Sequence, residues 1–250
     1  MARQDTCVII PTYNNAATLG SVIRSVAACT PHILVVNDGS TDHTAEVIAA
    51  FPHLRHVSYS PNRGKGWALR QGFALARELG YRYAITMDSD GQHFAADLPA
   101  FMDQVEVVPD CLIVGARNMD QASVPGKSSF GYNFSNFWFT LETGIKCPDT
   151  QSGFRLYPVA LYNHTRFLTR KYEFEIEVLV RSAWKGIPIL WVPVKVYYPP
   201  KEERVTHFRP FKDFSRISVL NSVLVLITFF YIKPRQVLRR LIFASKTRKD

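Results

Sequence analysis

Two aspartates that lie two positions apart, Asp88 and Asp90, follow a short apolar run in the segment ITMDSDGQH. Carboxylates this close repel each other, which raises the pKa of one of them unless a cation lies between them. Together with the side-chain oxygen of Gln92, they suit a hard divalent cation such as Mg²⁺ or Mn²⁺, which commonly binds phosphate oxygens as well. Taken alone, the segment indicates a metal site, a proton-sharing pair or a helix-capping Asp-Gly turn.

Two further motifs could bind a nucleotide. VVNDGSTD places Asp38 directly after another apolar run, where an acidic residue could accept hydrogen bonds from a ribose or a base. The same motif is equally typical of a turn between a strand and a helix, with Ser, Thr and Asp as helix caps. PNRGKG, which contains Lys65, resembles a phosphate-binding loop but lacks the full G-x-x-x-x-G-K-[ST] pattern.

The elements around these motifs predict an α/β fold, because short apolar runs alternate with segments of helical period. We predict a three-layer sandwich with a mostly parallel sheet. Its predicted helices include 17–28, a segment from NRGKG to Leu79, and Leu98–Val107. Its predicted strands are Cys7–Ile10 (ended by Pro11), Ile33–Val36, Leu54–Ser58, Tyr83–Met87 and Cys111–Ala116. Ligands of such sheets bind outside the carboxyl ends of the strands. PTYNN, NDGSTD and DSDGQ all fall at such ends, so we expect them to converge.

Beyond Ala116 the pattern is looser. Phe130–Thr143 is rich in aromatic residues and predicts a helix, and Phe174–Trp184 and Ile189–Tyr197 predict a helix and a strand. Ile217–Ile232 is a run of sixteen residues, apolar apart from a few such as Asn221. As a helix this run would be about 24 Å long, which is shorter than a ~30 Å hydrocarbon core.

The C-terminal segment is also strongly basic. Residues 233–250 carry +6 of the formal net charge of +9. We therefore predict an interfacial or re-entrant helix whose cations meet anionic lipid head groups. The alternative is a core helix that packs on the sheet.

Composition narrows the function classes. The 250 residues are 47% hydrophobic, which excludes a disordered chain and is enough for a sizeable core. The four cysteines lack zinc-site spacing and the N-terminus lacks a signal-peptide pattern, so we expect a body in the cytoplasm. The body has no basic stripe interleaved with aromatic residues, so we expect no nucleic-acid partner.

The motifs IIPTYNN, VVNDGSTD, NRGKGWALRQG, MDSDGQH and DTQSGFRLY occur in this order over roughly residues 5–200. In this combination the chain resembles the inverting family 2 glycosyltransferases with the GT-A fold, above all the dolichyl-phosphate mannosyl- and glucosyltransferase branch. The resemblance implies a GT-A nucleotide-diphospho-sugar transferase domain over 1–212. An apolar, membrane-associating segment with a basic tail over 213–250 would follow it.

The resemblance also implies roles for single residues. Relatives line the base pocket with the positions of Pro11, Tyr13 and Asn15, although they usually carry Glu at the last of these. The nucleotide sugar would further be bound by Asp38 at the base or ribose, by Lys65, by Asp88, and by Arg117 at the phosphates and sugar. Asp90 and Gln92 would ligate Mg²⁺ or Mn²⁺. Lys127 lies where many relatives carry Arg, and DTQSGFR would supply Ser152 and Arg155 to the acceptor and sugar pocket.

The implied activity is metal-dependent, inverting transfer of a hexose from a nucleotide sugar of the GDP-mannose or UDP-glucose type. The acceptor would be a lipid carrier, polyprenyl phosphate, at the cytoplasmic face of a membrane. A phosphate acceptor needs no strong base, whereas a hydroxyl acceptor on a lipid or glycan requires a carboxylate, for which Asp149 and Glu173 are the candidates. We expect Glu175 and Glu177 to lie on a solvated helix face.

A basic segment precedes the apolar run. ERVTHFRPFKDFSR contains Arg204, His207 and Arg209, which we predict to bind the lipid phosphate; the alternative is a solvated loop. Two other functions stay open at this point. One is a nucleotidyltransferase, and the other is a non-catalytic basic protein that binds membranes.

Overall fold

The computed structural model of the chain describes residues 3–118, 126–162, 165, 167–198 and 209–238, and at 126–130, 162 and 210 it describes the backbone alone. Its strands in chain order are β1 (Thr6–Thr12), β2 (Ile33–Asp38), β3 (Arg55–Tyr59), β4 (Tyr83–Thr86), β5 (Leu112–Arg117), β6 (Arg155–Pro158) and β7 (Ile189–Val194). Its α-helices are α1 (Ala16–Ala27), α2 (Thr44–Ala49), α3 (Lys65–Glu78), α4 (Leu98–Val107), α5 (Gly126–Thr143), α6 (Glu173–Trp184) and α7 (Pro210–Ile227).

The seven strands form one sheet in the order β3-β2-β1-β4-β6-β5-β7. Every pairing is parallel except those of β6, which runs antiparallel to β4 and β5. The predicted mostly parallel α/β sheet is therefore confirmed. The sequence pattern did not indicate the strand at Arg155–Pro158. A strand of four residues is too short to show a period, and this one is recognised only by its two neighbours in the sheet.

Helices cover both faces of the sheet, as a three-layer sandwich requires. One apolar cluster joins α1 and α4 to the sheet through residues such as Ile23 and Phe101. The other joins α3, α5, α6 and α7 to the opposite face through residues such as Phe73, Phe139 and Leu179. The helix predicted at Leu98–Val107 has the observed bounds. Strand β1 continues past Pro11 to Thr12, because Pro11 lies at the end of the strand, opposite Val36 of β2.

The order β2-β1-β4 places three carboxyl ends side by side. Tyr13 follows β1, Asp38 ends β2, and Asp88 lies two residues beyond β4, so the three polar motifs lie at one edge of the sheet. The sheet therefore positions the three motifs that the sequence analysis expected to converge.

Helix α7 packs on α5 and α6 and begins seven residues before the predicted apolar run. A π-helical turn over Thr228–Ile232 continues it, so that 211–238 forms a helical stretch of 28 residues. Its most apolar part has a mean hydropathy of 1.7, and 22% of that part is buried. Within the described residues, this helix alone is long and apolar enough to cross a membrane.

Candidate active site

A cavity of about 480 Å³ opens at the carboxyl ends of β1, β2 and β4. All the residues that the sequence analysis placed in the base pocket line it, and so does Asp38: the set is Pro11, Tyr13, Asn15 and Asp38. Lys65, Asp88, Asp90 and Arg209 line it as well. Residues from five separate parts of the sequence therefore share one cavity.

Asp38 fixes the loop that precedes α3. Its Oδ2 accepts hydrogen bonds from Asn62 Nδ2 at 3.0 Å and from the main-chain N of Gly64 at 2.8 Å. Its Oδ1 accepts one from the main-chain N of Arg63 at 2.8 Å. A carboxylate has about four acceptor positions, so three of them hold this loop. Asp38 thus holds the NRG part of the predicted phosphate loop against the end of β2.

Lys65, at the start of α3, forms a buried ion cluster with two carboxylates. Its Nζ lies 2.7 Å from Asp88 Oδ1 and 3.2 Å from Glu175 Oε2. Burial alone would lower the pKa of Lys65, but the two carboxylates outweigh it and raise the pKa above its ordinary value. Burial likewise opposes ionisation of Asp88, but Lys65 holds the pKa of that carboxyl below its ordinary value. Both groups are therefore charged at neutral pH.

The expectation that Glu175 and Glu177 lie on a solvated face is wrong, since both are buried, as is Glu173. Glu177 accepts hydrogen bonds from the main-chain N of Leu168 and Thr169 at 2.9 Å, and pairs with Arg181. The spacing could have indicated this. Side chains two positions apart on a helix point about 200° apart, so three alternating glutamates cannot all face solvent on a helix that packs against a sheet.

Asp90 has the electrostatics of a cation site. Burial and the neighbouring Asp88 raise its pKa from 3.8 to about 6, and its Oδ1 accepts a hydrogen bond from the main-chain N of Gln92 at 3.0 Å. A divalent cation would relieve this repulsion, and carboxylate and amide oxygens suit Mg²⁺ or Mn²⁺. Gln92 itself does not line the cavity. The described residues contain no group of three or more His, Cys, Asp or Glu placed to hold a metal, so substrate oxygens and water would complete its coordination.

Arg117, at the end of β5, forms a bidentate ion pair with Asp149. The distances are 2.6 Å from Nε to Oδ2 and 2.9 Å from Nη2 to Oδ1. Asp149 is fully buried and also accepts main-chain hydrogen bonds from Gln151 and Ser152. The structure therefore contradicts the role of Asp149 as a base for a hydroxyl acceptor, because its oxygens are already occupied. Asp149 instead fixes the guanidinium of Arg117.

The placement of Arg155 and Ser152 in the acceptor and sugar pocket is also contradicted. Arg155 is fully buried, and its guanidinium donates to the main-chain oxygens of Ser152, Glu175 and Thr150 at 2.6, 2.7 and 2.8 Å. The hydroxyl of Ser152 is buried and accepts a hydrogen bond from the main-chain N of Phe154. Arg155 thus ties the DTQSG loop to α6 beneath the Lys65 cluster.

Two predicted acceptor residues, Arg204 and His207, lie outside the described residues, as does the side chain of Lys127. The cavity has further polar lining residues that the sequence analysis did not assign to it, namely Asn62, Lys171, Tyr172, Asp213 and Arg216. Asn62 directly precedes the RGKG sequence and was recognisable from that position. The other four reach the cavity through the packing of α6 and α7, which no local pattern indicates.

Known proteins resemble this chain in sequence and in fold. The model of the family described as "Glycosyl transferase family 2" matches residues 7–165. A polyprenol monophosphomannose synthase of Mycolicibacterium smegmatis is 30% identical over 204 residues, which cover 76% of this chain and 77% of that protein. An undecaprenyl-phosphate mannosyltransferase of Micrococcus luteus is 28% identical and covers 74% and 81% of the two chains.

Among solved structures, glucosyl-3-phosphoglycerate synthase from Mycobacterium tuberculosis in complex with Mn²⁺, uridine-diphosphate-glucose and phosphoglyceric acid has the same fold. Its TM-score is 0.66 at 19% identity, and the match covers 90% of this chain and 81% of that one. At this identity the likeness supports the fold, while the sequence relatives support the activity. The chain therefore belongs to glycosyl transferase family 2 and is a hexosyltransferase.

Proposed function

We propose that the protein transfers a hexose, with inversion, from a nucleotide sugar of the GDP-mannose or UDP-glucose type to polyprenyl phosphate at the cytoplasmic face of a membrane. The relatives support the acceptor class, since their names specify polyprenol, undecaprenyl-phosphate and dolichyl-phosphate enzymes. The fold neighbour that binds uridine-diphosphate-glucose with Mn²⁺ supports the donor class.

The observation that carries the proposal is that one cavity extends across the carboxyl ends of three neighbouring strands. Tyr13 and Asp38 lie at the ends of β1 and β2, while Asp88 and Asp90 lie beyond β4. The cavity volume, about 480 Å³, falls in the range of roughly 300–1,000 Å³ that is usual for small-molecule sites. This arrangement suits a ligand with a nucleoside at one end and a charged, sugar-bearing end at the other.

The charged residues of the site would have separate roles. Asp90 and Gln92 would hold Mg²⁺ or Mn²⁺, which supplies charge neutralisation for the nucleoside diphosphate leaving group. Lys65 keeps Asp88 ionised, so that this carboxylate accepts hydrogen bonds from the sugar. Arg117, which does not line the cavity in this structure, is oriented by Asp149 and would add a fixed positive charge for the phosphates.

The carboxylates favour a phosphate acceptor over a hydroxyl. A phosphate oxygen is already a nucleophile, whereas a hydroxyl must lose its proton to a base. Of the two candidate bases, Asp149 is occupied by Arg117, and Glu173 does not line the cavity. Arg209 lines the cavity and remains our proposed ligand of the acceptor phosphate, together with Lys127, Arg204 and His207.

Membrane association through α7 fits the same acceptor. Apolar side chains on the outer surface of α7 and of the π-helical turn that continues it are exposed, among them Phe211, Val219 and Phe230. An apolar surface beside cationic side chains binds the interface of an anionic bilayer. We therefore place the 213–250 segment at the membrane, with the domain of residues 1–212 on its cytoplasmic side.

The test is transfer of radiolabelled sugar from each nucleotide sugar, with Mn²⁺, to polyprenyl phosphate or to lipids that carry a free hydroxyl. We expect a product that requires the lipid phosphate, is labile to mild acid, and forms with release of nucleoside diphosphate. Asp90→Ala should abolish it, while the exposed Asp103→Ala on α4 serves as the matched control. Product from hydroxyl lipids alone would mean that the acceptor is a hydroxyl and not a phosphate. Pyrophosphate released from a nucleoside triphosphate and a sugar phosphate, supplied in a separate reaction, would indicate a nucleotidyltransferase. An active Asp90→Ala would refute the metal site.

A further inference from the structure

Helix α7 has two kinds of surface in its first two turns. Arg209, Asp213 and Arg216 are spaced four and three residues apart, which places them on one face, and all three line the donor cavity. On another face of the same turns, Phe211 is 90% exposed. The helix that we place at the membrane is therefore also a wall of the cavity.

Asp213 connects the two cationic residues of this wall. It is 3% exposed, and its Oδ2 accepts a hydrogen bond from the main-chain N of Arg209 at 2.7 Å. Its Oδ1 lies 3.4 Å from Arg216 Nη1. Asp213 therefore fixes both the start of the helix and the guanidinium of Arg216 against the cavity.

Two carboxylates that line the cavity at the strand ends are already engaged. Asp38 holds the loop before α3, and Asp88 is paired with Lys65. The guanidinium of Arg216, by contrast, is 43% exposed as a side chain and has one ion pair among the described residues, with Asp213. An anion in the cavity can thus bind cations of α7 while its remaining atoms contact the body of the protein.

The docking of α7 is opposed by polar groups in its interface. Both side-chain atoms of Asn221 are buried and lack a hydrogen-bond partner among the described residues. So are both carboxyl oxygens of Glu142 on α5, whose main-chain oxygen accepts a hydrogen bond from Thr228. Each unpaired buried polar group offsets part of the apolar stabilisation of the interface. A ligand that contacts α7 across the cavity would add to the stability of the docked helix.

We propose that binding of the nucleotide sugar and docking of α7 are coupled, with Asp213 as the positioning residue that links them. The proposal rests on the proposed function only in that the cavity ligand carries a nucleoside diphosphate. Coupling is reciprocal, so a bound nucleotide holds α7 in place, and α7 held in place raises the affinity for the nucleotide. Because α7 also carries the apolar surface, membrane attachment and donor binding act on the same element.

The experiment uses the full chain in detergent, with GDP or UDP in the presence of Mn²⁺ as probes. Hydrogen–deuterium exchange reports on the 210–227 helix, and calorimetry gives the nucleotide Kd. We expect the nucleotide that binds to slow exchange in α7 and Asp213→Ala to weaken its binding at least about fivefold. Asp213→Asn keeps an acceptor for the main-chain N of Arg209 but loses the charge. Its affinity for the nucleotide should lie between those of the wild type and Asp213→Ala. The control is Lys212→Ala, which removes an exposed cation that does not line the cavity and should match the wild type.

The outcomes separate the two proposals. If wild-type protein binds neither nucleotide, the proposed donor class is wrong and the coupling with it. If a nucleotide binds but α7 exchange is unchanged, or if Asp213→Ala and Arg216→Ala bind it as tightly as the wild type, the coupling alone is overturned. Arg216→Ala keeps this test decisive if Asp213→Ala does not fold, since Arg216 is partly exposed.

Discussion

Gly153 leaves room for the ion cluster at the base of the cavity, and adding one methyl group there tests the role of that cluster. In Gly153→Ala the new Cβ would lie 2.7 Å from Lys65 Nζ, 2.8 Å from Asp88 Oδ2 and 3.2 Å from Glu175 Oε1. Ordinary contacts of a Cβ begin at 3.4 Å. The substitution therefore separates atoms of Lys65 and Asp88 that are now 2.7 Å apart.

The size of the expected fall in kcat/KM follows from the steric overlap of the new Cβ with Lys65 and Asp88. The lysine tip can move, but its two carboxylate partners hold it, and Asp88 is too short to move without its main chain. The carboxylate must therefore shift by roughly half an ångström. Because a displacement of about 1 Å at a catalytic group can cost ~10²-fold in rate, we expect kcat/KM to fall by about tenfold or more, which is ~1.4 kcal/mol of transition-state stabilisation.

The assay is the rate of transfer from the nucleotide sugar, measured with thermal unfolding of the same samples. Gly20→Ala is the matched control, because its Cβ would make only ordinary contacts, the nearest at 3.5 Å, within α1. We expect the control to retain full activity. A folded Gly153→Ala protein with the kcat/KM of the wild type would refute the view that the Lys65–Asp88 contact is part of the catalytic geometry.

Two predictions concern the buried carboxyl groups outside the cavity. Burial raises the pKa of Glu142 from 4.5 to about 8. The folded state therefore binds the carboxyl proton more tightly than the unfolded state does. As the pH rises from 4.5 to 8, the free energy of unfolding should fall by at most about 1.4 kcal/mol per pH unit. Urea unfolding from pH 5 to 9 should show that decline in the free energy of unfolding of the wild type and a smaller decline in Glu142→Gln. Parallel pH profiles of the two proteins would contradict the raised pKa of Glu142. Glu177→Gln leaves the main-chain N–H groups of Leu168 and Thr169 facing an amide and removes the partner of Arg181, so we expect a loss of about 3–5 kcal/mol. Calorimetric Tm values, compared with those of the exposed Glu46→Gln, will measure it, and equal Tm values for the two variants would contradict it.

The parts of the site that the sequence predicts are those set by local pattern and strand order. Apolar runs locate the strands, and parallel strands bring their carboxyl ends to one edge of the sheet. Tyr13, Asp38 and Asp88 therefore meet in the cavity as expected, although they lie far apart in the sequence. The helices at 16–27 and 98–107 were predicted within one residue because their apolar residues recur with a period of 3.6.

The remaining parts depend on contacts between distant segments. A polar residue in a turn, such as Arg155, has the same local sequence whether it faces a ligand or main-chain oxygens. The position of α6 decides which groups Arg155 contacts, because the main-chain oxygen of Glu175 is one of the three acceptors of its guanidinium. The same packing buries Glu177, which a single-sequence rule assigns to solvent. Residues that support a site are therefore harder to predict than residues that line it.

Helix α7 spans the boundary that the resemblance implies between residues 212 and 213. That boundary would separate a catalytic body from an apolar segment, and it falls inside the first turn of the helix. Polar residues on both sides of that division, Arg209 and Arg216, line the same cavity. A helix that presents cations to the donor cavity and apolar side chains to its surroundings connects the two environments that a lipid-phosphate acceptor must bridge. The proposed acceptor would have its phosphate at the cavity and its chain in the bilayer, so α7 would lie between the two groups by which such an acceptor is recognised.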